Sequence, residues 1–389
     1  MATVSCYADM YLTQPVLPEL SREFGVAPAQ AGLTVSAVVL AIAAASTSYG
    51  ALSDALGRKR VMVASAALLV LPTLACALAP SFRALLALRA LQGAFIPGVT
   101  AVSVAYAGDR YPPDRLPRVV AGIMGAAVAG GLLGRVMAGP VTAAFGWRAT
   151  FLVGAAATAL GAAGLARELN PAPSRQPLGF RRAYAGVLDH LREPRLVGAF
   201  LIGACLFFGW MGLFTFLPYH LTTRYRLPTA LVSSVYLVYA AGVVASPVAG
   251  RLSQRVAPRL VMAVGLAAGA LGALLTLAGP LALVVAGLVV FVGGAYTAQA
   301  IAPTFVNSTA RTAKGGANAL YLSCYYLGGT FGSSLPGLAW QRWSWPGVVV
   351  VCVAAQAAAL AADALLCGRP LRAVALGGIV RQKASSKER

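Results

Sequence analysis

The sequence predicts an all-α membrane protein, with twelve transmembrane helices in two parallel six-helix halves. Hydrophobic residues make up 59% of the chain and charged residues only 11%, where a soluble domain carries roughly 25% charged residues. The apolar residues fall in blocks such as LTVSAVVLAIAAAS and VMVASAALLVLPTLACALA. With their flanks these approach the ~20 residues a helix needs to cross hydrocarbon. A third observation is a repeat: GALSDALGRKRVM at 50–62 returns as GRLSQRVAPRLVM at 250–262, an offset of 250 − 50 = 200 positions.

In lipid every backbone polar group must be bonded within its own element, so the spans are helices. Nothing in the sequence alternates as a barrel would. Spans are expected near 1–19, 29–52, 61–79, 84–107, 118–142, 148–166, 196–219, 229–250, 259–279, 281–305, 317–340 and 346–367. The connections PSFRA, FGWR and QRWSW are short, which makes neighbouring spans antiparallel hairpins. One long polar stretch at 167–195 divides the spans. The organisation expected is an N-terminal bundle at 1–166, this linker, a C-terminal bundle at 196–367 and a basic tail at 368–389.

The first span has Asp9 in its middle and no basic segment before it. At ~1.5 Å per residue, nineteen helical residues barely cover a ~30 Å core. Either the helix begins at Met1 or the true start lies upstream. A cleaved signal peptide is disfavoured, because no charged segment precedes the apolar stretch and no small-residue cleavage site closes it.

A formal net charge of +20 would suggest nucleic acid in a soluble protein. Here its distribution argues otherwise. Arg58, Lys59 and Arg60 lie between the second and third spans, and Arg110, Arg115 and Arg118 between the fourth and fifth. The linker, Arg251, Arg255, Arg259, Arg311, Lys314 and the tail fall on the same face if the spans alternate. By the positive-inside rule that face is cytoplasmic, with both termini on it. The six cysteines lie in or at the ends of apolar spans without a CxxC or Cys/His cluster. They read as small buried hydrophobes, and no metal site is expected.

The 200-residue offset extends beyond the turn. Leu17-Pro18 returns as Leu217-Pro218, Pro28 as Pro228, Val35 and Val38 as Val235 and Val238, and Ala45-Ser46 as Ala245-Ser246. Six helices are duplicated in the same orientation, because an even number of spans returns the chain to its starting face. Two parallel halves around a cavity form the plan of an alternating-access carrier.

GALSDALGRK resembles the loop signature of the major facilitator superfamily, G-x-L-x-D-x-x-G-R-K, and RALQGAF matches its R-x-x-Q-G element in the fourth span. ADMYLTQPVLPELSREFGV, AGGLLGRVMAGPVTAAFGWR and ASPVAGRLSQR are most similar to a bacterial branch of inner-membrane effluxers. The resemblance covers essentially the whole chain. It implies a cytoplasmic gate at Gly50, Asp54, Gly57 and Arg58, with Asp109 as acidic partner. Asp54 and Arg58 stand four apart and can pair if the turn stays helical. The second copy has Gln254, Ala257 and Pro258 for Asp54, Gly57 and Arg58, so the charged latch belongs to the first half.

Asp9, Arg89 and Arg135 are the charges expected deep in the membrane and the proton-coupling candidates. Such groups cost roughly 2.5–3.5 kcal/mol on insertion scales and face a cavity or a partner. Burial disfavours a charged carboxylate and a nearby arginine favours it. That competition suits Asp9 to proton coupling; a helix-packing hydrogen bond is the alternative. The resemblance implies that Arg89 modulates proton binding; otherwise it snorkels toward the outer interface. Arg135 stands where antiporters of the superfamily typically carry proline in G-x-x-x-G-P-x-x-G-G, which weakens the antiport inference. It is expected to pair with Asp9 or to meet an anionic substrate. Gln14, Gln92, Tyr236, Tyr239, Tyr296, Gln299, Asn318, Tyr321 and Tyr325 are the expected cavity groups.

The function expected is proton-coupled efflux of small organic molecules across a bacterial inner membrane, by a monomer, with the proton gradient in place of a cofactor. Proton-coupled uptake of a sugar or organic acid and a non-transporting sensor are the alternatives. No ATP-binding loop of the G-x-x-x-x-G-K-[ST] type occurs. No set of clustered catalytic groups marks an enzyme, and nucleic acid is not an expected partner.

Overall fold

A computed structural model describes residues 1–170, 188–310 and 314–368, and among these the chain is helical with no strand. The middle of the expected linker, Arg311 and nearly all of the basic tail lie outside the described residues.

The first span is not one helix. It consists of α1 (Ala2–Tyr11), a 3₁₀ turn (Gln14–Val16) and α2 (Leu17–Phe24). Pro15 has no backbone N–H to return to Tyr11, so the ladder breaks there. The span also runs on past the expected end at 19. From Ala2 to Phe24, ~1.5 Å per residue gives about 34 Å, enough to cross the hydrocarbon.

The rest of the first half is α3 (Pro28–Leu56), α4 (Arg58–Ala77), α5 (Phe82–Arg110), α6 (Leu116–Phe145) and α7 (Trp147–Glu168). Gly57 (φ 92°) and Gly146 (φ 80°) are the single residues between α3 and α4 and between α6 and α7. Side chains other than glycine rarely adopt these angles.

After a 3₁₀ turn (Leu188–Arg192) the second half begins with α8 (Pro194–Arg224). Its next span is made of α9 (Thr229–Val235), a 3₁₀ segment (Tyr236–Tyr239) and α10 (Ala240–Leu252). Then come α11 (Pro258–Leu275), α12 (Leu281–Thr309), α13 (Lys314–Gly332) and α14 (Pro336–Ala362), closed by a π turn (Asp363–Cys367). The α14 run is two helices meeting at Ser344 (φ 52°, ψ −141°). Its first part therefore completes the eleventh span, and the remainder is the twelfth.

Among the described residues ten helical segments are long and apolar enough to cross a membrane. The broken first span and α13 with its continuation supply the other two. Outward-facing side chains such as Leu160 (64% exposed) and Val244 (67%) are apolar, as a lipid-facing surface requires.

The duplication appears as packing. α1 lies against α6 and α7, and α8 correspondingly against α13 and α14. α4 packs on α5 and α7, and α11 on α12 and α14. α4 starts at Arg58 and α11 at Pro258, an offset of 258 − 58 = 200. Between halves, α3 meets α13, and α6 meets α9.

Small residues make these close approaches possible. A Cβ on Gly134 would stand 2.6 Å from the Ala8 Cα, and one on Gly130 would stand 2.8 Å from the Val4 Cα. On the face opposite the basic turns the halves are fastened together. Ser36 Oγ donates to the Thr330 carbonyl at 2.7 Å and lies 2.8 Å from Ser333 Oγ. Tyr219 OH donates to the Leu17 carbonyl at 3.0 Å and lies 2.6 Å from Ser21 Oγ. Thr229 donates to Glu19.

Candidate functional site

A cavity of about 490 Å³ lies between the halves. Its deep end is at Tyr11, Arg135 and Met211, and Met124, Ser246, Pro303 and Leu322 carry its lining toward the basic face. The fastened face lies beyond its deep end, so the cavity opens toward the basic turns. The wall is aromatic: Tyr7 and Tyr11 from the first half face Phe207, Trp210, Tyr239, Tyr296, Tyr321, Tyr325 and Tyr326 from the second. Phe207 and Tyr325 stack at 4.1 Å, and Trp210 Nε1 donates to Tyr239 OH at 2.7 Å. Such contacts hold the rings at defined positions.

Among the described residues Arg135 is the one charged residue in this lining. Its guanidinium lies 3.7 Å from the Tyr11 ring centroid and 4.6 Å from that of Tyr239. Nε donates to Gln14 Oε1 at 2.7 Å, and Nη1 to the Gly131 carbonyl at 2.7 Å. Gln14 in turn donates to Thr215 Oγ1 at 3.1 Å. The chain Arg135–Gln14–Thr215 therefore ties both halves together at the cavity's deep end.

Asp9 lies elsewhere. It stands between Tyr7 and Tyr11 in sequence, and two helical steps of ~100° turn it to the opposite side of α1. It is fully buried, and its Oδ2 accepts from Thr158 Oγ1 on α7 at 2.7 Å. Its Oδ1 has no hydrogen-bond partner and faces Gly154. No ion pair joins Asp9 to Arg135 or Arg89 among the described residues, which corrects the expected Asp9–Arg135 pair.

Arg89 is fully buried and does not snorkel. It donates to the backbone carbonyls of Asp9 at 2.7 Å, Met10 at 2.8 Å and Thr34 at 3.1 Å. The first two are carbonyls released where α1 breaks, and a cation at a helix C-terminus suits both their lone pairs and the dipole. Gln92, expected in the cavity, accepts from Arg89 Nη1 at 2.8 Å and donates to Thr73 Oγ1 at 2.8 Å, inside the first half. Asp9, Arg89, Gln92, Thr73 and Thr158 thus form one polar island behind α1.

The corresponding place in the second half is filled differently. Gly209 stands 209 − 9 = 200 residues after Asp9, and the Gln356 amide from α14 lies beside it. Neither Gln356 amide atom has a hydrogen-bond partner. The duplicated scaffold retains a polar residue at both places and an acid only at the first.

Of the remaining expected cavity groups, Tyr239, Tyr296, Gln299, Tyr321 and Tyr325 line it. Tyr236 is buried just behind, its OH donating to the Phe214 carbonyl at 2.8 Å. Asn318 is half-buried near the start of α13 and donates to Asn307 Oδ1 at 2.6 Å, away from the cavity. Sequence reasoning passed over Tyr7, Tyr11, Phe207, Trp210, Met211 and Tyr326. The signal was present: 7 and 11, 207 and 211, and 321 and 325 are aromatic or Met pairs at four-residue spacing, one helix face each.

At the basic face Arg58 joins the acids of the expected gate. Its Nη2 lies 2.5 Å from Asp54 Oδ1, and its Nε donates to Asp109 Oδ2 at 3.0 Å. It also donates to Ser53. With the cavity open to this face, these bonds stay within the first half. In the second half Arg259 pairs with Asp363, with Nε and Nη2 each 3.2 Å from a carboxylate oxygen.

The family model described as Major Facilitator Superfamily matches residues 1–244 and 229–378. The inner membrane transport protein YnfM of Escherichia coli is 32% identical over 89% of this chain and 84% of its own length. The uncharacterized MFS-type transporter YybF of Bacillus subtilis is 29% identical over 90% of this chain and 87% of its own. Among solved structures, a bacterial homologue of the human lysosomal transporter Spinster, inward-facing and occupied, superposes with a TM-score of 0.77 at 18% identity, covering 93% of both chains. The nucleoside transporter NupG superposes with a TM-score of 0.76 at 13% identity, over 94% of this chain and 98% of its own.

Proposed function

The chain belongs to the major facilitator superfamily, and from that premise we infer that it is a proton-driven exporter of small organic molecules across a bacterial inner membrane. The observation that carries this reading is the aromatic cavity at the junction of the halves, shut on one face by bonds between them and open to the basic face. The positive-inside rule makes that face cytoplasmic. The cavity then stands ready to load from the cell interior. The similarity to an inner membrane transport protein supports the same membrane.

Mechanistically, α1 carries both halves of the exchange. One side bears Tyr7 and Tyr11 against the cargo, and the other bears Asp9 against α7. A proton on Asp9 removes a buried charge and changes what α1 needs from Thr158 and Arg89. Cargo on Tyr7 and Tyr11 acts on the same rigid helix. The two loads therefore bias one element, which is the physical requirement for coupling them.

The test is flux. Cells overproducing the protein are screened for growth protection against small organic toxicants, and efflux of each protective compound is then followed. Efflux should collapse when an uncoupler dissipates the proton gradient. Uptake under an inwardly directed proton gradient would establish a symporter instead, and absence of flux for every protective compound would defeat the transport reading.

A further inference from the structure

Among the described residues the charge in the cavity has no counter-ion in the lining. Arg135 is 2% exposed, and its Nε and Nη1 are bonded to Gln14 and the Gly131 carbonyl. Among the described residues no carboxylate lines the cavity. Other neighbours of Arg135 are the rings of Tyr11, Tyr236 and Tyr239, at 3.7, 5.8 and 4.6 Å from the guanidinium carbon. Those faces offer cation–π attraction and no net negative charge.

At 2% exposure the guanidinium meets little water even with the cavity open to the basic face, and an unpaired cation in such a low-dielectric place is costly. A neutral or cationic cargo leaves the cost in place. An anionic cargo removes it and gains a charge-assisted hydrogen bond. The remaining walls, with Phe207, Trp210, Tyr296 and Tyr325 prominent, call for a flat apolar body.

We propose that the cavity takes small aromatic carboxylates, with Arg135 holding the carboxylate and the rings holding the body. The proposal rests on the transport reading and narrows its cargo. Arg135 then acts as a specificity determinant: the cargo's own charge answers the guanidinium, which a neutral cargo leaves unpaired.

The experiment uses purified full-length protein in detergent and three probes of one shape: 1-naphthoate, 1-naphthamide and 1-naphthylmethylammonium. Calorimetric titration should find naphthoate binding about tenfold or more tighter than the amide, as a hydrogen bond to a charged partner implies, with the ammonium weakest. Arg135→Gln should bring naphthoate to the amide's level, and Arg135→Lys should restore part of the preference. The wild-type ranking decides alone if the variants do not fold. Equal binding of acid and amide, tightest binding of the ammonium, or no binding of any probe overturns the proposal. None of these results touches the uncoupler-sensitive flux on which the transport reading stands.

Discussion

Arg89 donates to the backbone carbonyl oxygen of Asp9 at 2.7 Å and leaves the Asp9 carboxylate to Thr158. The buried arginine is thus bound first to the broken end of α1 and only indirectly to the acid. This separates two roles that the sequence places on neighbouring charges: holding α1 in its interrupted shape, and carrying a proton.

The first role predicts the effect of removing the guanidinium. Arg89→Ala leaves the carbonyls of Asp9, Met10 and Thr34 without their donor in a fully buried place. Bonds to a charged group are worth ~1.5–3 kcal/mol each, so a loss of about 3 kcal/mol or more is expected. Thermal unfolding in detergent should show a lowered Tm, and Arg89→Lys should recover only a part, because an ammonium cannot span three carbonyls as a planar fork does. An unchanged Tm in Arg89→Ala would remove the helix-end role.

The second role predicts a separation of binding from drive. Asp9 lies on the side of α1 away from the cavity, so Asp9→Asn should leave the affinity of any cavity ligand within about twofold, a change of ~0.4 kcal/mol. Movement against a concentration gradient should be lost, because an amide does not titrate. Accumulation that persists in Asp9→Asn would show that another group carries the proton.

The closed face offers a cross-link. Ser36 Oγ and Ser333 Oγ stand 2.8 Å apart across the halves, so cysteines there can approach the ~2.05 Å of a disulfide with little movement. Ser36→Cys combined with Ser333→Cys should give an oxidant-dependent shift in gel mobility that neither single variant shows. Flux should stop on oxidation and return with reductant. Free flux in the oxidised double variant would mean that this face need not open.

Close helix approach predicts which glycines tolerate a methyl group. A Cβ on Gly134 meets the Ala8 backbone, whereas one on Gly122 has nothing within 4 Å. Gly134→Ala should therefore destabilise by roughly 1–3 kcal/mol through overpacking. Gly122→Ala should be neutral or slightly stabilising, since alanine favours helix. The comparison is read as relative Tm; a smaller loss at 134 than at 122 would contradict the α1–α6 contact.

Much of this architecture is legible in the chain because its signals are local or periodic. The apolar blocks mark the spans, and the 200-residue offset reappears in α4 and α11 starting at Arg58 and Pro258. Arg58 with Asp54 follows from four-residue helical spacing, whereas the bond from Arg58 to Asp109 joins residues 51 apart and is seen only in the fold. The cavity was less legible. Gln92, Tyr236 and Asn318 are polar residues of the same kind as Gln299 and Tyr296, yet only the latter two line it. Polarity within a span marks a side chain that avoids lipid, without saying whether it meets a cavity or another helix.

The chain by itself marked the apolar solvent, the membrane spans and their 200-residue repeat, because these depend on composition and on spacing along the sequence. Tertiary structure alone decided that Tyr11 faces the cavity while Asp9 faces α7, and that Arg135 stands among rings with no acid beside it among the described residues. The physical reason is that lipid, helix interfaces and aromatic cavity walls are all apolar neighbours. Hydrophobic periodicity, which tells inside from outside in water, cannot distinguish among them.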